Sequence, residues 1–226
     1  MKKIKYPDSE MLAMDLADVL AAELNGILNT KERVTLVVPG GTTPGPIFDI
    51  LSGVRLEWSR VNILLTDERW VPEDDPRSNT RLVREHLLVD RAAEATFIPL
   101  YAPTDTPEEA LPELSKAIGP LLPVDVLVLG MGLDMHTASL FTGADNLEAA
   151  MADDAPILMP MRAKGAGEPR VTLTAPVLKG AMSTHVVFTG KAKNKALKKA
   201  LKINDPLQAP ISAFLKGATA HWTSHK

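Results

Sequence analysis

The sequence predicts an α/β fold in which a parallel β-sheet is covered by helices on both faces. Short runs of apolar and β-branched residues alternate along the chain with segments of helical periodicity. The clearest runs are Val34–Val38, Val61–Leu65 and 124–129, and each is apolar along most of its length. Strands of this kind are buried on both faces, as in parallel sheets flanked by helices, so the alternation indicates the fold class.

The elements follow one another in a regular order. A helix is predicted over residues 9–27, where leucines and other apolar residues recur at helical spacing and Ser9 stands as the N-cap. The strand Val34–Val38 precedes a glycine-rich turn and a short helix. The strand Val61–Leu65 precedes a polar loop and a helix near residues 78–88.

Later segments continue this pattern. The second helix has Asp75 or Ser78 as its predicted cap, and the strand at 124–129 leads into a loop and the start of another helix. Two further strands are predicted at "RVTLTA" and "HVVFTG", the second followed by the basic helix "KAKNKALKKALK". The segment 156–169 contains proline and glycine and is predicted to be a long loop or the edge of a small additional subdomain. We treat residues 1–226 as a single domain.

Length, charge and cysteine content exclude several classes of protein. A chain of 226 residues is long enough for one sizeable core. It contains no cysteine, which excludes disulfides, thiolate zinc sites and cysteine nucleophiles. Its net charge of −3 provides no general attraction to nucleic acids or anionic lipids. Acidic residues interrupt the apolar part of the N-terminal segment, and no stretch approaches the roughly 20 uncharged apolar residues of a membrane-spanning helix. We expect a soluble, cytoplasmic protein that binds neither nucleic acid nor membrane.

Three polar loops follow predicted strands, at residues 39–45, 66–79 and 130–143. Ligands of open parallel sheets bind outside the carboxyl ends of the strands, so these three loops are expected to converge on one pocket.

The first loop is a candidate phosphate site. Its glycines let backbone N–H groups approach an anion, its threonines add hydroxyl donors, and a helix begins nearby. The residues concerned are Gly40, Gly41, Thr42 and Thr43. A strand-to-helix turn without a ligand is the alternative. The loop has neither the lysine of a P-loop nor the glycine spacing of a dinucleotide-binding motif.

The other two loops carry candidate catalytic side chains. Most charges in 66–79 are typical of a solvated loop, but Asp67 directly follows a strand, and Arg69 beside it can stabilise an oxyanion or orient a carboxylate. In the third loop, His136 follows two glycines, with Asp134 two residues earlier. Imidazole accepts a proton from water at neutral pH, although a lone histidine is more often structural.

Five segments together resemble one enzyme family. In chain order they are "VVPGGTTP", "LLTDERWVPEDDPRSN", "LVLGMGLDMHTASLF", "RVTLTAPVL" and "VVFTGKAKNKAL". They resemble the glucosamine-6-phosphate isomerase/6-phosphogluconolactonase family, and within it the lactonases of the pentose phosphate pathway. The resemblance implies a Rossmann-like α/β fold and a carboxylic ester hydrolase of carbohydrate metabolism that converts 6-phospho-D-glucono-1,5-lactone to 6-phosphogluconate.

The resemblance also implies roles for particular residues. His136 would be the general base on water, Arg69 would stabilise charge on the carbonyl oxygen, and Asp67 would hold the arginine or the sugar hydroxyls. The residues expected to bind substrate, the 6-phosphate above all, are Gly40, Gly41, Thr42, Thr43, Lys193 and Arg170. For Lys193 an exposed position on a basic helix remains an alternative, and for Arg170 a structural role at a strand edge.

The chain departs from the family pattern at two positions in the third loop. Met135 stands where the family usually has glycine, and Thr142 where it usually has proline. Because a bulky residue rarely adopts a positive φ, we expect the loop to take a different turn here, which leaves the placement of Asp134 open. Arg162 and Lys164 are further candidate phosphate contacts.

The implied reaction requires no metal and no organic cofactor, because a δ-lactone is an activated ester. Its rate should fall as His136 becomes protonated.

Two other functions compete with lactone hydrolysis. One is a glucosamine-6-phosphate deaminase or sugar-phosphate isomerase, whose histidine is usually followed by residues like "IAFNEP" rather than "TASLF"; the other is a non-catalytic sugar-phosphate sensor. Nucleic-acid binding through the basic helix has little support in an acidic chain. Both a monomer and a dimer remain open.

Overall fold

A seven-stranded parallel sheet flanked by helices forms the centre of the computed structural model, which describes residues 1–164 and 166–225. This arrangement confirms the predicted fold class. The strands are β1 (Lys2–Tyr6), β2 (Val34–Val38), β3 (Val61–Leu65), β4 (Asp67–Arg69), β5 (Thr96–Ile98), β6 (Val126–Gly130), β7 (Leu158–Met161), β8 (Arg170–Leu173), β9 (Ser183–Thr189) and β10 (Thr219–Thr223). Their order in the large sheet is β1-β10-β9-β6-β2-β3-β5.

The helices lie between these strands. The α-helices are α1 (Ser9–Leu28), α2 (Gly45–Ser52), α3 (Asn79–His86), α4 (Pro107–Ile118), α5 (Leu147–Met151), α6 (Ala175–Lys179) and α7 (Lys191–Ile203). Short 3₁₀ turns occupy Trp58–Arg60, Asp90–Glu94, Gly119–Leu121 and Pro210–Phe214. Within the described residues, no helix combines the length and apolar character needed to cross a membrane.

The bounds of β2 and β3 match the prediction, and all their residues are buried. The third predicted strand begins two residues later than expected, at Val126. The predicted N-cap of α1 is wrong: the cap is Asp8, whose carboxylate accepts a hydrogen bond of 2.8 Å from the N–H of Met11, and Ser9 is the first helical residue. For α3, Ser78 is the cap.

A second, antiparallel sheet has the order β4-β8-β7. The predicted strand "RVTLTA" therefore lies outside the parallel sheet, and the segment 156–169 contributes the edge strand β7. One residue, Thr66, joins the two sheets. Its N–H donates to Val38 O and its C=O accepts from Leu173 N, both at 2.9 Å. Because β4 follows β3 so closely, Arg69 is held next to the carboxyl edge of the large sheet.

Candidate active site

A cavity of about 330 Å³ opens at the carboxyl edge of the large sheet. The three predicted loops meet there, as the parallel topology requires. The cavity brings together the residues that the sequence predicts for catalysis and substrate binding: Gly40, Gly41, Thr42, Thr43, Asp67, Arg69, His136, Arg170 and Lys193. A larger adjoining cavity of about 800 Å³ shares Thr42, Thr43 and Lys193 with it. The assembly is observed in the structure, whereas the roles of the residues remain predictions.

His136 forms a close pair with Asp134. Its Nδ1 atom lies 2.5 Å from Oδ1 of Asp134, and its backbone N–H donates to the same oxygen at 3.3 Å. This hydrogen bond holds the pKa of the Asp134 carboxyl below its usual value. A carboxylate only accepts, so Nδ1 carries the proton and the lone pair is on Nε2. In the part of the chain that the structure describes, Nε2 has no hydrogen-bond partner.

The turn that presents the pair depends on Gly132. A Cβ at this position would lie 2.2 Å from Nδ1 of His136 and 2.3 Å from Oδ1 of Asp134. The expectation that Met135 forces a different turn is wrong, because Met135 has φ 69°. Its side chain is only 7% exposed, its N–H donates to Gly132 O, and its C=O accepts from Ile211 N. Packing and two hydrogen bonds hold this uncommon conformation.

Two arginines face the same region from neighbouring strands. Arg69 on β4 pairs directly with Arg170 on β8, and in both side chains Nε is buried without a hydrogen-bond partner in the described residues. Burial lowers the pKa of Arg170; Asp67 opposes this shift and Arg69 adds to it. The guanidinium of Arg170 lies 5.2 Å from the ring centre of Phe141, whose ring is 4.3 Å from that of His136. Each guanidinium also donates to a loop carbonyl, Arg69 to Arg77 O and Arg170 to Ala166 O. Two cationic groups beside an imidazole suit an anion that forms there.

Asp67 links the second sheet to the histidine loop. Its Oδ2 accepts from Ser139 Oγ at 2.6 Å and its Oδ1 from Thr66 Oγ1 at 2.8 Å. Asp67 and Arg69, both among the described residues, form no ion pair, so two hydroxyls rather than the arginine hold this carboxylate. Ser139 and Thr66 are contacts that sequence reasoning missed, because only the fold shows which loops meet.

The glycine-threonine loop packs against Asn79, which no sequence motif singles out. A Cβ on Gly40 would lie 1.9 Å from Oδ1 of Asn79, so only glycine fits under that amide. Asn79 in turn donates from Nδ2 to Asp67 O at 2.8 Å and lines the cavity. Gly41 has φ 91°, a conformation that favours glycine. The loop ends where α2 begins, and no side chain caps that helix.

Three other charged residues differ from their predicted surroundings or contacts. Glu68 is not part of a solvated loop, since it is completely buried behind the cavity. The Arg162 guanidinium donates to Glu108 at 2.6 and 3.1 Å. Neither Arg162 nor Lys164 is among the residues that line the cavity.

Known proteins resemble this chain over almost its whole length. The family described as "Glucosamine-6-phosphate isomerases/6-phosphogluconolactonase" matches residues 7–222. A relative from Rhizobium meliloti (strain 1021), named 6-phosphogluconolactonase, is 41% identical over 217 residues, which are 95% of this chain and 94% of the relative. A protein of the same name from Pseudomonas aeruginosa is 41% identical over 213 residues, 93% of this chain and 90% of the relative.

A solved structure agrees with these sequence matches. The crystal structure of a 6-phosphogluconolactonase from Shewanella baltica OS155 superposes with a TM-score of 0.95 at 33% identity, covering 99% of this chain and 97% of the other. Sequence and fold thus agree over almost the whole chain. The chain therefore belongs to the family of glucosamine-6-phosphate isomerases and 6-phosphogluconolactonases.

Proposed function

We propose that the chain hydrolyses 6-phospho-D-glucono-1,5-lactone to 6-phosphogluconate, as a soluble cytoplasmic enzyme of the pentose phosphate pathway. The observation that carries the proposal is the Asp134–His136 pair, with Nε2 of the histidine unengaged, in the same cavity as the glycine-threonine loop. Relatives that bear the name 6-phosphogluconolactonase and match nearly the whole chain support the same substrate.

The reaction uses His136 twice. Asp134 orients the imidazole, and Nε2 takes a proton from a water molecule whose oxygen attacks the lactone carbonyl carbon. The oxyanion that forms is stabilised by the positive charges of Arg69 and Arg170, which both line the cavity. When the tetrahedral intermediate collapses, the bond from the carbonyl carbon to the ring oxygen breaks. Nε2–H then donates its proton to the departing ring oxygen.

Other cavity residues bind and orient the substrate. Thr42, Thr43, the adjacent backbone N–H groups and Lys193 hold the 6-phosphate, which supplies binding energy away from the reacting carbon. Asp67 has carboxylate lone pairs beyond those used by its two hydroxyl donors, and it accepts a hydrogen bond from a sugar hydroxyl.

A coupled assay tests the proposal. The lactone is generated enzymatically, and its hydrolysis is followed through NADP reduction by the next enzyme of the pathway, with spontaneous hydrolysis subtracted. We expect acceleration by the wild-type protein and a loss of about 10²-fold or more in kcat for His136→Ala, with 6-phosphogluconate binding retained. No acceleration by folded wild-type protein would overturn the proposal.

Two further results would assign the cavity to a competing function. Ammonia release from glucosamine 6-phosphate would favour a deaminase. Equal binding of 6-phosphogluconate by the wild type and by His136→Ala, with no turnover of any lactone, would favour a sensor.

A further inference from the structure

Glu68 is a buried carboxylate that the proposed chemistry does not use. Its side chain is 0% exposed and lies directly behind the cavity, between the end of β4 and the start of α3. Four donors surround the two carboxylate oxygens. Oε1 accepts from the N–H groups of Arg69 at 2.8 Å and Asn79 at 2.7 Å, and Oε2 accepts from the N–H of Thr80 at 2.7 Å and Ser78 Oγ at 3.2 Å.

These donors come from both ends of the loop that joins β4 to α3. Arg69 precedes the loop, whereas Asn79 and Thr80 open the helix that follows it. One carboxylate therefore closes the loop, and it meets the N-terminus of α3, where a negative charge is favourable. All four groups are donors and require an acceptor. The ionised carboxylate offers only acceptors, whereas a protonated carboxyl would point its own hydrogen at one of the donors. Burial raises the pKa of Glu68, and the N–H groups of Asn79 and Thr80 act against that shift.

Two of the four donors belong to residues that line the cavity. The guanidinium of Arg69 donates to the carbonyl of Arg77 in the same loop, so Glu68 holds the backbone of Arg69 and the loop holds its side chain. Asn79 lies over Gly40 and donates to Asp67 O. A shift of the Glu68 carboxylate would move Arg69 at the reacting end of the cavity and Asn79 against the glycine-threonine loop.

We infer that Glu68 is a positioning residue for the proposed hydrolysis, holding Arg69 in place through its backbone N–H and closing the loop 70–78. The inference rests on the proposed function of the cavity. Glu68 does not touch the substrate, and it acts through Arg69 on the oxyanion and through Asn79 on the phosphate loop.

The test is Glu68→Gln, which keeps the side-chain size but replaces one acceptor oxygen with an NH₂ donor that faces an N–H or hydroxyl donor. We expect kcat to fall at least about tenfold while the protein still unfolds cooperatively, well above the assay temperature. The matched control is Asp125→Asn. Asp125 is also buried and accepts from the N–H of Thr35 at 2.8 Å and from Nζ of Lys31, but it lies at the amino-terminal edge of the sheet. The Asp125→Asn variant should be less stable than the wild type, and its kcat should stay within about twofold of the wild-type value.

A double-mutant cycle separates positioning from a general structural role. In an Arg69→Ala background, Glu68→Gln should lower kcat by less than about threefold, because the group it positions is absent. An equal loss in both backgrounds, or wild-type kcat in Glu68→Gln, would overturn the inference. If Glu68→Gln does not fold, Ser78→Ala removes one donor and enters the same cycle with the same criterion. A wild-type protein without lactonase activity would instead refute the proposed function.

Discussion

Nδ1 of His136 and Oδ1 of Asp134 lie 2.5 Å apart across a turn in which Gly132 leaves no room for a Cβ. The two residues are separated by Met135, whose backbone has a positive φ of 69°. The pair is thus built by the backbone of one short loop, and it fixes which imidazole nitrogen faces the cavity.

Asp134→Asn should lower kcat about 10- to 100-fold and change KM by less than about threefold. The amide keeps the shape of the carboxylate but removes the charge that stabilises the imidazolium and selects its tautomer. Steady-state kinetics in the coupled lactonase assay measures both constants. The matched control is Asp49→Asn, which breaks a second Asp–His pair, to Nδ1 of His86 at 2.7 Å, on residues that do not line the cavity. Similar losses of kcat in both variants would contradict a special role for Asp134.

Gly40→Ala should raise KM for the phosphorylated lactone about tenfold or more. Its methyl group would overlap the Asn79 amide, so the glycine-threonine loop or the amide must shift. The effect should appear equally in the Kd for 6-phosphogluconate, measured by calorimetry. Gly26→Ala is the control. Nothing lies within 4 Å of a Cβ at this position of α1, so we expect unchanged KM and a gain of about 0.5–1 kcal/mol in unfolding free energy. An unchanged KM in Gly40→Ala would show that the loop does not hold the phosphate.

Acid should weaken the fold through a hydrogen-bonded chain of side chains on β1, β9, β10 and α1, in which only the Glu23 end is partly exposed. Glu23 bonds His185 at 3.0 Å, His185 bonds His221 at 3.0 Å, and His221 bonds Tyr6 at 2.9 Å. Burial, assisted by His185, lowers the pKa of His221 from 6.5 to about 4. The unfolded chain therefore takes up a proton that the folded protein does not, and stability falls as pH drops from 6.5 towards 4.

The expected contribution of His221 to this loss is up to about 3 kcal/mol at pH 4. Urea unfolding at pH 7 and pH 4 gives the loss for the wild type. His221→Gln keeps a donor and an acceptor but does not titrate, so its loss over the same interval should be smaller. Parallel losses in the two proteins would assign the acid sensitivity to other groups.

The sequence predicts the main strands well because runs of apolar and β-branched residues indicate buried strands. Every position of β2 and β3 is buried, and the mostly apolar runs that form them have no other stable environment. Short strands such as β4 are different. Its residues are "DER", and they form a strand only because β8 lies beside them, which local pattern does not reveal.

The candidate site shows the same division. His136 and Arg69 stand out by residue type and by position after a strand, whereas Ser139 becomes relevant only because it meets Asp67, a residue 72 positions away in sequence. The expectation for Met135 failed because burial and two hydrogen bonds outweigh the local cost of a positive φ. The backbone preference of methionine does not predict the φ of Met135, because tertiary packing determines the turn.

The single-residue joint at Thr66 has a mechanical consequence. A rigid-body rotation of the small sheet against the large one would break both hydrogen bonds of this residue, to Val38 and from Leu173. We therefore expect Thr66 not to act as a hinge between the two sheets. Closure over a bound ligand would then come from the loops around the cavity, and no domain-opening equilibrium would lower the affinity of the empty protein for phosphate.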